Sequence, residues 1–424
     1  MKYSEMTRDE RRALLDEVRG RYKELRDMKL NLNMARGKPG AEQLALSMDM
    51  LTALSPEDVM NGEDGMDFRN YGILTGITEC KRLLAPMLEC DIDNMIIYGN
   101  SSLNVMYDTI SRSYSHGVMG HTPWCRLDRV KFLCPVPGYD RHFAITEFFG
   151  IQMIPIPTDE NGPDMDIVEK YVNNDEAVKG IWCVPKYANP SGITYSDEVV
   201  RRFANLKPAA KDFRIFWDNA YCIHHLYEGE PDHLLDLGKA CEEAGNPDIY
   251  YKFASTSKIT FPGSGVACLA SSKANIEFIE KQMTVQTIGH DKLNMYRHVK
   301  FFHDFDGMVE HMKKHAEVLR PKFAAVIEAL ETNLAGKGIA EWNKPNGGYF
   351  ISLNVMTGCA KRVVQLCKEA GVVMTGAGAT YPYGYDPKDS NIRIAPTLPS
   401  PEELKIACEV LVTSVKLAAL EKLA

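Results

Sequence analysis

Lys258 carries the most chemical content in this sequence. It lies in Ser255-Thr256-Ser257-Lys258-Ile259-Thr260-Phe261-Pro262-Gly263, directly after the β-rich run DIYYKFA. A solitary surface lysine is only a charge, whereas one among small hydroxyl residues in a loop after a strand is not typical of surface lysines. Asp218, 40 residues earlier, closes the run RIFWD and is followed by Tyr221; Asn189, in Asn189-Pro190-Ser191-Gly192, lies 29 residues before that. Alone, each has an ordinary reading, a turn or a helix N-cap. The 29-residue interval is about one strand–helix–strand unit, so the two loops can be neighbours at one sheet edge. Arg393, in NIRIAPTLP, reads on its own as a solvated strand-end charge. The run MIIYGNSSLNVMYDTI reads as a strand, a turn at Gly99, Asn100, Ser101 and Ser102, and a helix whose positive end can face an anion.

These residues need a scaffold that brings strand ends together. Between residues 80 and 280, runs such as MIIYG, VKFLCPV, IQMIPIP, VKGIWCV and GVACLAS alternate with helix-like stretches. That alternation predicts an α/β fold with a mostly parallel sheet and helices on both faces. Ligands then sit beyond the carboxyl ends of the strands. Leu14, Val18, Tyr22 and Leu25 predict an amphipathic helix over about 7–28, packed either on its own domain or on a partner. After residue 300 the pattern becomes one helix over 305–334, strands at NGGYFISLNV and NIRIAP, and helices at CAKRVVQLCKEAG and from Pro401. The expected domains are an arm plus part of a small domain (1–48), a large domain (49–304), and a linking helix with a small α+β domain (305–424).

With 49 Lys+Arg against 57 Asp+Glu, the net charge of −8 argues against a general grip on nucleic acid or anionic membrane. The eleven cysteines contain no C-x-x-C pair, which excludes zinc-ribbon and thioredoxin readings. No apolar stretch approaches the ~18 residues of a membrane span, and the charged start MKYSEMTRDERR lacks a secretory core. A cytoplasmic protein with a small-molecule partner is expected.

Asn189-Pro-Ser-Gly, Asp218-x-x-Tyr221, Ser255-x-Ser257-Lys258 with Pro262-Gly263, and Arg393 together resemble the fold-type I pyridoxal-phosphate aminotransferases of class I. The stretches ARGKP, YGNSS, PGYDRHF, TSKITFPGSGVA and TIGHDKLN look most like the branch that includes some bacterial aspartate aminotransferases. The resemblance implies pyridoxal 5'-phosphate as cofactor. Lys258 would form the imine with it and later carry the proton, Asp218 would face its ring nitrogen, and Tyr221 and Asn189 its 3′-oxygen. Gly99, Asn100, Ser101, Ser102, Ser255 and Ser257 would surround the phosphate, and Tyr139 would stack on the ring. Arg393, with Asn189 and Gly37, would hold the substrate's α-carboxylate end. Tyr71 would complete a neighbour's site in a homodimer. Many relatives carry an arginine shortly after the Pro-Gly, where this chain has Ser264, Gly265 and Val266; Lys292 and Arg297 are the replacement candidates.

The implied activity is transfer of an amino group from an L-amino acid, aspartate first, to a 2-oxo acid, 2-oxoglutarate first, by a ping-pong mechanism. Alanine, aromatic or 2-aminoadipate specificity, and a cofactor-dependent lyase, are alternatives. Arg36, Lys38 and Arg141 are the cations available for a distal carboxylate. A cofactor-binding transcription regulator is disfavoured, because only 35 residues precede Arg36 and they carry nine Lys/Arg against seven Asp/Glu.

Overall fold

The structure, a computed structural model, describes residues 2–229 and 231–423. Its strands are β1 (Leu32–Asn33), β2 (Met95–Ile97), β3 (Lys131–Val136), β4 (Gln152–Asp159), β5 (Gly162–Pro163), β6 (Val178–Cys183), β7 (Arg214–Asp218), β8 (Tyr250–Ser255), β9 (Ala267–Ala270), β10 (Ala340–Trp342), β11 (Ile351–Val355), β12 (Val372–Val373) and β13 (Asn391–Ile394). An eight-stranded sheet runs β2-β9-β8-β7-β6-β3-β4-β5. Its centre, β8 through β4, is parallel, while β9 is antiparallel to both neighbours.

Strands β6, β7 and β8 are buried along their whole length. They read as continuous branched and aromatic runs because apolar cores lie on both faces. Successive residues serve opposite cores, as the two-residue period of a strand requires. Phe132, Trp182 and Phe216 join Val105, Met106 and Ile110 on one face; Leu133, Ile181, Ile215 and Trp217 join Val168, Val199 and Phe203 on the other.

The C-terminal unit is built on the antiparallel sheet β10-β11-β13. The helix Phe305–Leu334 leads into it as one continuous element, and Pro401–Leu423 closes the chain. The first long helix, Arg8–Asp27, is capped by Thr7 and Glu10 and packs on Pro401–Leu423 of the same chain. Tyr22 donates its hydroxyl to Leu366 O at 2.9 Å. The inner face carries Leu15, Val18, Tyr22 and Leu25. Leu14, expected there, is only partly buried, and Leu15 takes the buried position instead. A parallel two-residue pairing, Leu32 with Val372, ties the N-terminal segment to this unit; so short a strand leaves no periodic trace in sequence. Among the described residues, no helix is long and apolar enough to cross a membrane.

Candidate active site

Asp218 is the last residue of β7, buried at the carboxyl edge of the sheet. Its Oδ2 lies 3.0 Å from His142 Nε2, and its Oδ1 is buried without a hydrogen-bond partner. The imidazole is held by stacking on Trp182, with ring centroids 4.4 Å apart and planes at 11°. Trp182 is itself fixed by an indole N–H donated to Thr146 Oγ1 at 2.8 Å. His142 escaped the sequence reading. The available signal was its place in the helix Asp140–Phe148, three residues after Tyr139 in PGYDRHF.

Lys258 lies in the loop after β8. Its Nζ is 4.9 Å from the centroid of the Tyr221 ring. Burial lowers its pKa from the usual lysine range, Arg393 acts in the same direction, and Asp218 opposes them. Burial holds the Tyr221 hydroxyl well above its ordinary range and raises that of Tyr139 to about 12, with Asp218 adding to the effect. Lys258 O accepts from Tyr349 Oη at 3.3 Å, which steadies the loop from the C-terminal unit. Lys258, Asp218, Tyr221, Asn189 and Tyr139 line one cavity with Ser101, Ser102, Ser255 and Ser257.

Arg393 reaches this group from β13. Its Nη1 donates to Asp140 Oδ1 at 2.7 Å and to Asn189 Oδ1 at 3.3 Å. Its Cζ sits 4.9 Å from the Phe350 ring centroid, and its Nε is buried without a partner. Gly37 packs on the same ring, where a Cβ would come within 2.4 Å of Phe350 Cζ.

At the far end, Ser101 caps the helix Ser102–His116, its Oγ accepting from Leu103 N at 3.2 Å. Ser255 Oγ donates to Ser257 Oγ at 3.1 Å, and Ser257 Oγ to Asn100 O at 3.2 Å. Gly265 N donates to Asn100 Oδ1 at 2.7 Å, and Gly99 O accepts from Ala267 N at 2.7 Å. The turn is thereby tied to the lysine loop and to β9. Arg297 donates through Nη2 to Ser264 Oγ at 2.6 Å, and its Nε is buried and unpaired.

Other expected residues stay outside the cavity. Lys292 donates to Gly72 O at 3.0 Å, beside Tyr71, which is 78% exposed. Arg36, Lys38 and Arg141 are exposed; of these, Arg141 is close enough for its charge to lower the Tyr139 hydroxyl pKa. A cavity of about 1040 Å³ lies elsewhere, lined by Val136, Pro155 and Thr158 at the sheet edge and by Tyr381, Tyr383 and Ser390, and none of the groups above lines it. Chemistry rather than volume locates the site.

A buried carboxylate oxygen left without a donor is destabilising by roughly 1–3 kcal/mol or more. Asp218 Oδ1 therefore calls for a donor that the described residues do not supply, in the same cavity as a desolvated primary amine and a helix N-terminus. The protonated ring nitrogen, aldehyde and phosphate of pyridoxal phosphate fit those three features.

Comparison with known proteins agrees. The chain is 44% identical over 407 residues to an aspartate aminotransferase of Corynebacterium glutamicum, covering 96% of this chain and 94% of that one. It superposes on a crystal structure of an aspartate transaminase from C. glutamicum with a TM-score of 0.97 at 42% identity, covering 100% of both chains. At 18% identity and a TM-score of 0.71, over 93% of this chain and 94% of the other, the fold is shared with LysN, the α-aminoadipate aminotransferase of Thermus thermophilus, solved with N-(5'-phosphopyridoxyl)-L-leucine. The family described as aspartate amino-transferase matches residues 6–424. The chain belongs to that family: it is a class I, fold-type I aminotransferase that uses pyridoxal phosphate.

Proposed function

We propose that this aminotransferase moves the amino group of L-aspartate to 2-oxoglutarate in two half-reactions at one site. The observation that carries this reading is the convergence, in one cavity, of the unpaired Asp218 Oδ1 and the desolvated Lys258 amine, with the free edge of Arg393 joined to them through Asn189. The named activity of the C. glutamicum relatives supports aspartate as donor.

Bound pyridoxal phosphate supplies the electron sink that makes the amino acid's Cα–H acidic. Asp218 would hold the ring nitrogen in its protonated form, and His142 holds that carboxylate in place. Tyr221 and Asn189 would hold the cofactor's 3′-oxygen, and Tyr139 would pack against its ring. Lys258 would hold the cofactor's aldehyde carbon and, once freed by a substrate amine, would serve as the base that moves the Cα proton. Its depressed pKa keeps a neutral amine available for that transfer. Gly99, Asn100, Ser101, Ser102, Ser255 and Ser257 would hold the phosphate. Arg297, connected to them through Ser264 and Gly265, balances its charge in place of the arginine missing at that loop. Arg393 holds the α-carboxylate through its unpaired Nε edge, and Gly37 lets the N-terminal loop close against Phe350.

The cofactor-binding domain is residues 49–304, and residues 305–424 with 1–48 form the smaller one. The active unit is a cytoplasmic homodimer in which Tyr71 and Lys292 serve the partner's site. Of Arg36, Lys38 and Arg141, at least one reads the distal carboxylate. Truncating each to glutamine in turn and measuring kcat/KM for aspartate and alanine tests this. One variant should lose at least about tenfold in the aspartate-to-alanine ratio, roughly 1.4 kcal/mol. Three unchanged ratios, or a wild type indifferent between the two donors, reject the dicarboxylate preference.

A further inference from the structure

The guanidinium assigned to the substrate's α-carboxylate already carries a carboxylate of the protein. Asp140 Oδ1 accepts from Arg393 Nη1 at 2.7 Å. The side chain of Arg393 is 8% exposed and that of Asp140 34%. Asn189 Oδ1 shares the same nitrogen at 3.3 Å. Both protein acceptors therefore sit on Nη1, while Nε is buried with no partner. The Nε/Nη2 edge of the fork is thus left to a ligand. Asp140 is the first residue of the helix Asp140–Phe148, a position where a carboxylate is favoured by the helix N-terminus, so it is held at the arginine by local structure as well as by the ion pair.

We propose that Asp140 is a specificity-determining counter-carboxylate, an internal competitor that weakens every anion at Arg393 so that only ligands held by further contacts bind. This rests on the reading of Arg393 as the α-carboxylate site. In the free enzyme Asp140 neutralises a guanidinium that is otherwise desolvated. An incoming carboxylate on the Nε/Nη2 edge meets a cation already paired and a like charge a few ångströms away. Amino acids and 2-oxo acids offset that repulsion through the cofactor and the distal group; a bare monocarboxylate cannot. The α-carboxylate keeps its charge throughout the reaction, so the repulsion acts on binding and leaves the chemical step alone. Products, which carry the same carboxylate, leave faster for the same reason.

The test is calorimetric titration of the holoenzyme with propionate, alongside KM values for aspartate and 2-oxoglutarate. Asp140→Asn keeps an oxygen that can accept from Nη1 but removes the charge. Its dissociation constant for propionate should fall by about tenfold, the order expected of one like charge a few ångströms away in a partly wet site, and both KM values should fall with it while kcat does not rise. Asp140→Glu, which keeps the charge, should bind propionate as the wild type does. Should Asp140→Asn not fold, Asp140→Ser repeats the charge removal with a residue that helix N-termini accept. Unchanged or weaker propionate binding in the uncharged variants overturns the proposal, as does tight binding by Asp140→Glu. Arg393→Gln separates the two levels of the argument. If it retains wild-type propionate affinity, the α-carboxylate assignment itself falls; if it loses propionate but Asp140→Asn gains nothing, only the role of Asp140 falls.

Discussion

Asp218 receives one hydrogen bond, from His142, and that bond decides how it presents its other oxygen. The imidazole cannot swing away, because it is stacked on Trp182 and buried. Removing it leaves a buried carboxylate with neither oxygen paired until cofactor binds. His142→Phe should therefore destabilise the cofactor-free protein by about 1–3 kcal/mol, the usual result of orphaning a buried polar group. It should also lower kcat by roughly 10–100-fold, since Asp218 is then free to rotate off the ring nitrogen. His142→Asn, whose amide can still donate, should recover part of both. Chemical denaturation of the cofactor-free variants and steady-state kinetics of the loaded ones measure the two effects; a wild-type kcat in His142→Phe contradicts the positioning role.

The Lys258 loop is braced by whole elements. His311 and His315, on the helix Phe305–Leu334, and His298, on the helix Lys292–Phe302, converge on residues 256–260. His298 Nε2 is 3.0 Å from Thr256 Oγ1, and His311 Nε2 is 3.0 Å from Ile259 O. His315 meets Gln43 at 3.0 Å, and Gln43 donates to Tyr349 at 2.9 Å. Burial pushes His298 down to about 4 and His315 to about 3, with His311 adding to the latter. Groups depressed in the folded state bind protons more readily when unfolded. Their stabilisation is therefore complete above the unfolded histidine pKa of about 6.5 and is lost as pH falls toward the folded values, by up to about 1.4 kcal/mol per pH unit for each group. The denaturation midpoint should fall between pH 6.5 and 5, a window above most carboxylate titration, and His298→Asn should flatten that fall. A flat profile across the window contradicts it. None of this bracing was legible in the sequence. The long helix was, because an uninterrupted amphipathic pattern needs no partner to be recognised, and so were the strands that alternate with helices. His142 and Asp140 were not, because their meaning depends on residues 76 and 253 positions away. Lys258, Asp218 and Asn189 stood out because each ends or follows a strand, and the topology collects strand ends.

At the scale of the molecule, several large apolar side chains are exposed in the segments 51–71 and 285–288. Leu51, Val59 and Tyr71 are 59%, 72% and 78% exposed, and Val285 and Ile288 are 92% and 61% exposed. The two segments are joined by Lys292 on Gly72 O and by the Lys300–Asp58 ion pair at 2.8 Å. The proposed homodimer would cover exposed apolar side chains of this kind. The proposed dimer places Tyr71 beside the partner's phosphate. Tyr71→Ala should weaken cofactor affinity without abolishing dimers, and activity should disappear at dilutions where light scattering shows monomer; an active monomer contradicts the shared site. The central claim, that the chain exchanges amino groups rather than eliminating or decarboxylating, is tested most directly by a single half-reaction. Aspartate added to the purified holoenzyme without any oxo acid should release one equivalent of oxaloacetate per bound cofactor, with neither ammonia nor carbon dioxide formed by the enzyme. The visible-edge absorbance of the cofactor should bleach and then return on adding 2-oxoglutarate, and Lys258→Ala should show no such cycle. Ammonia or carbon dioxide formed in place of the stoichiometric oxo acid, or full cycling in Lys258→Ala, would contradict it.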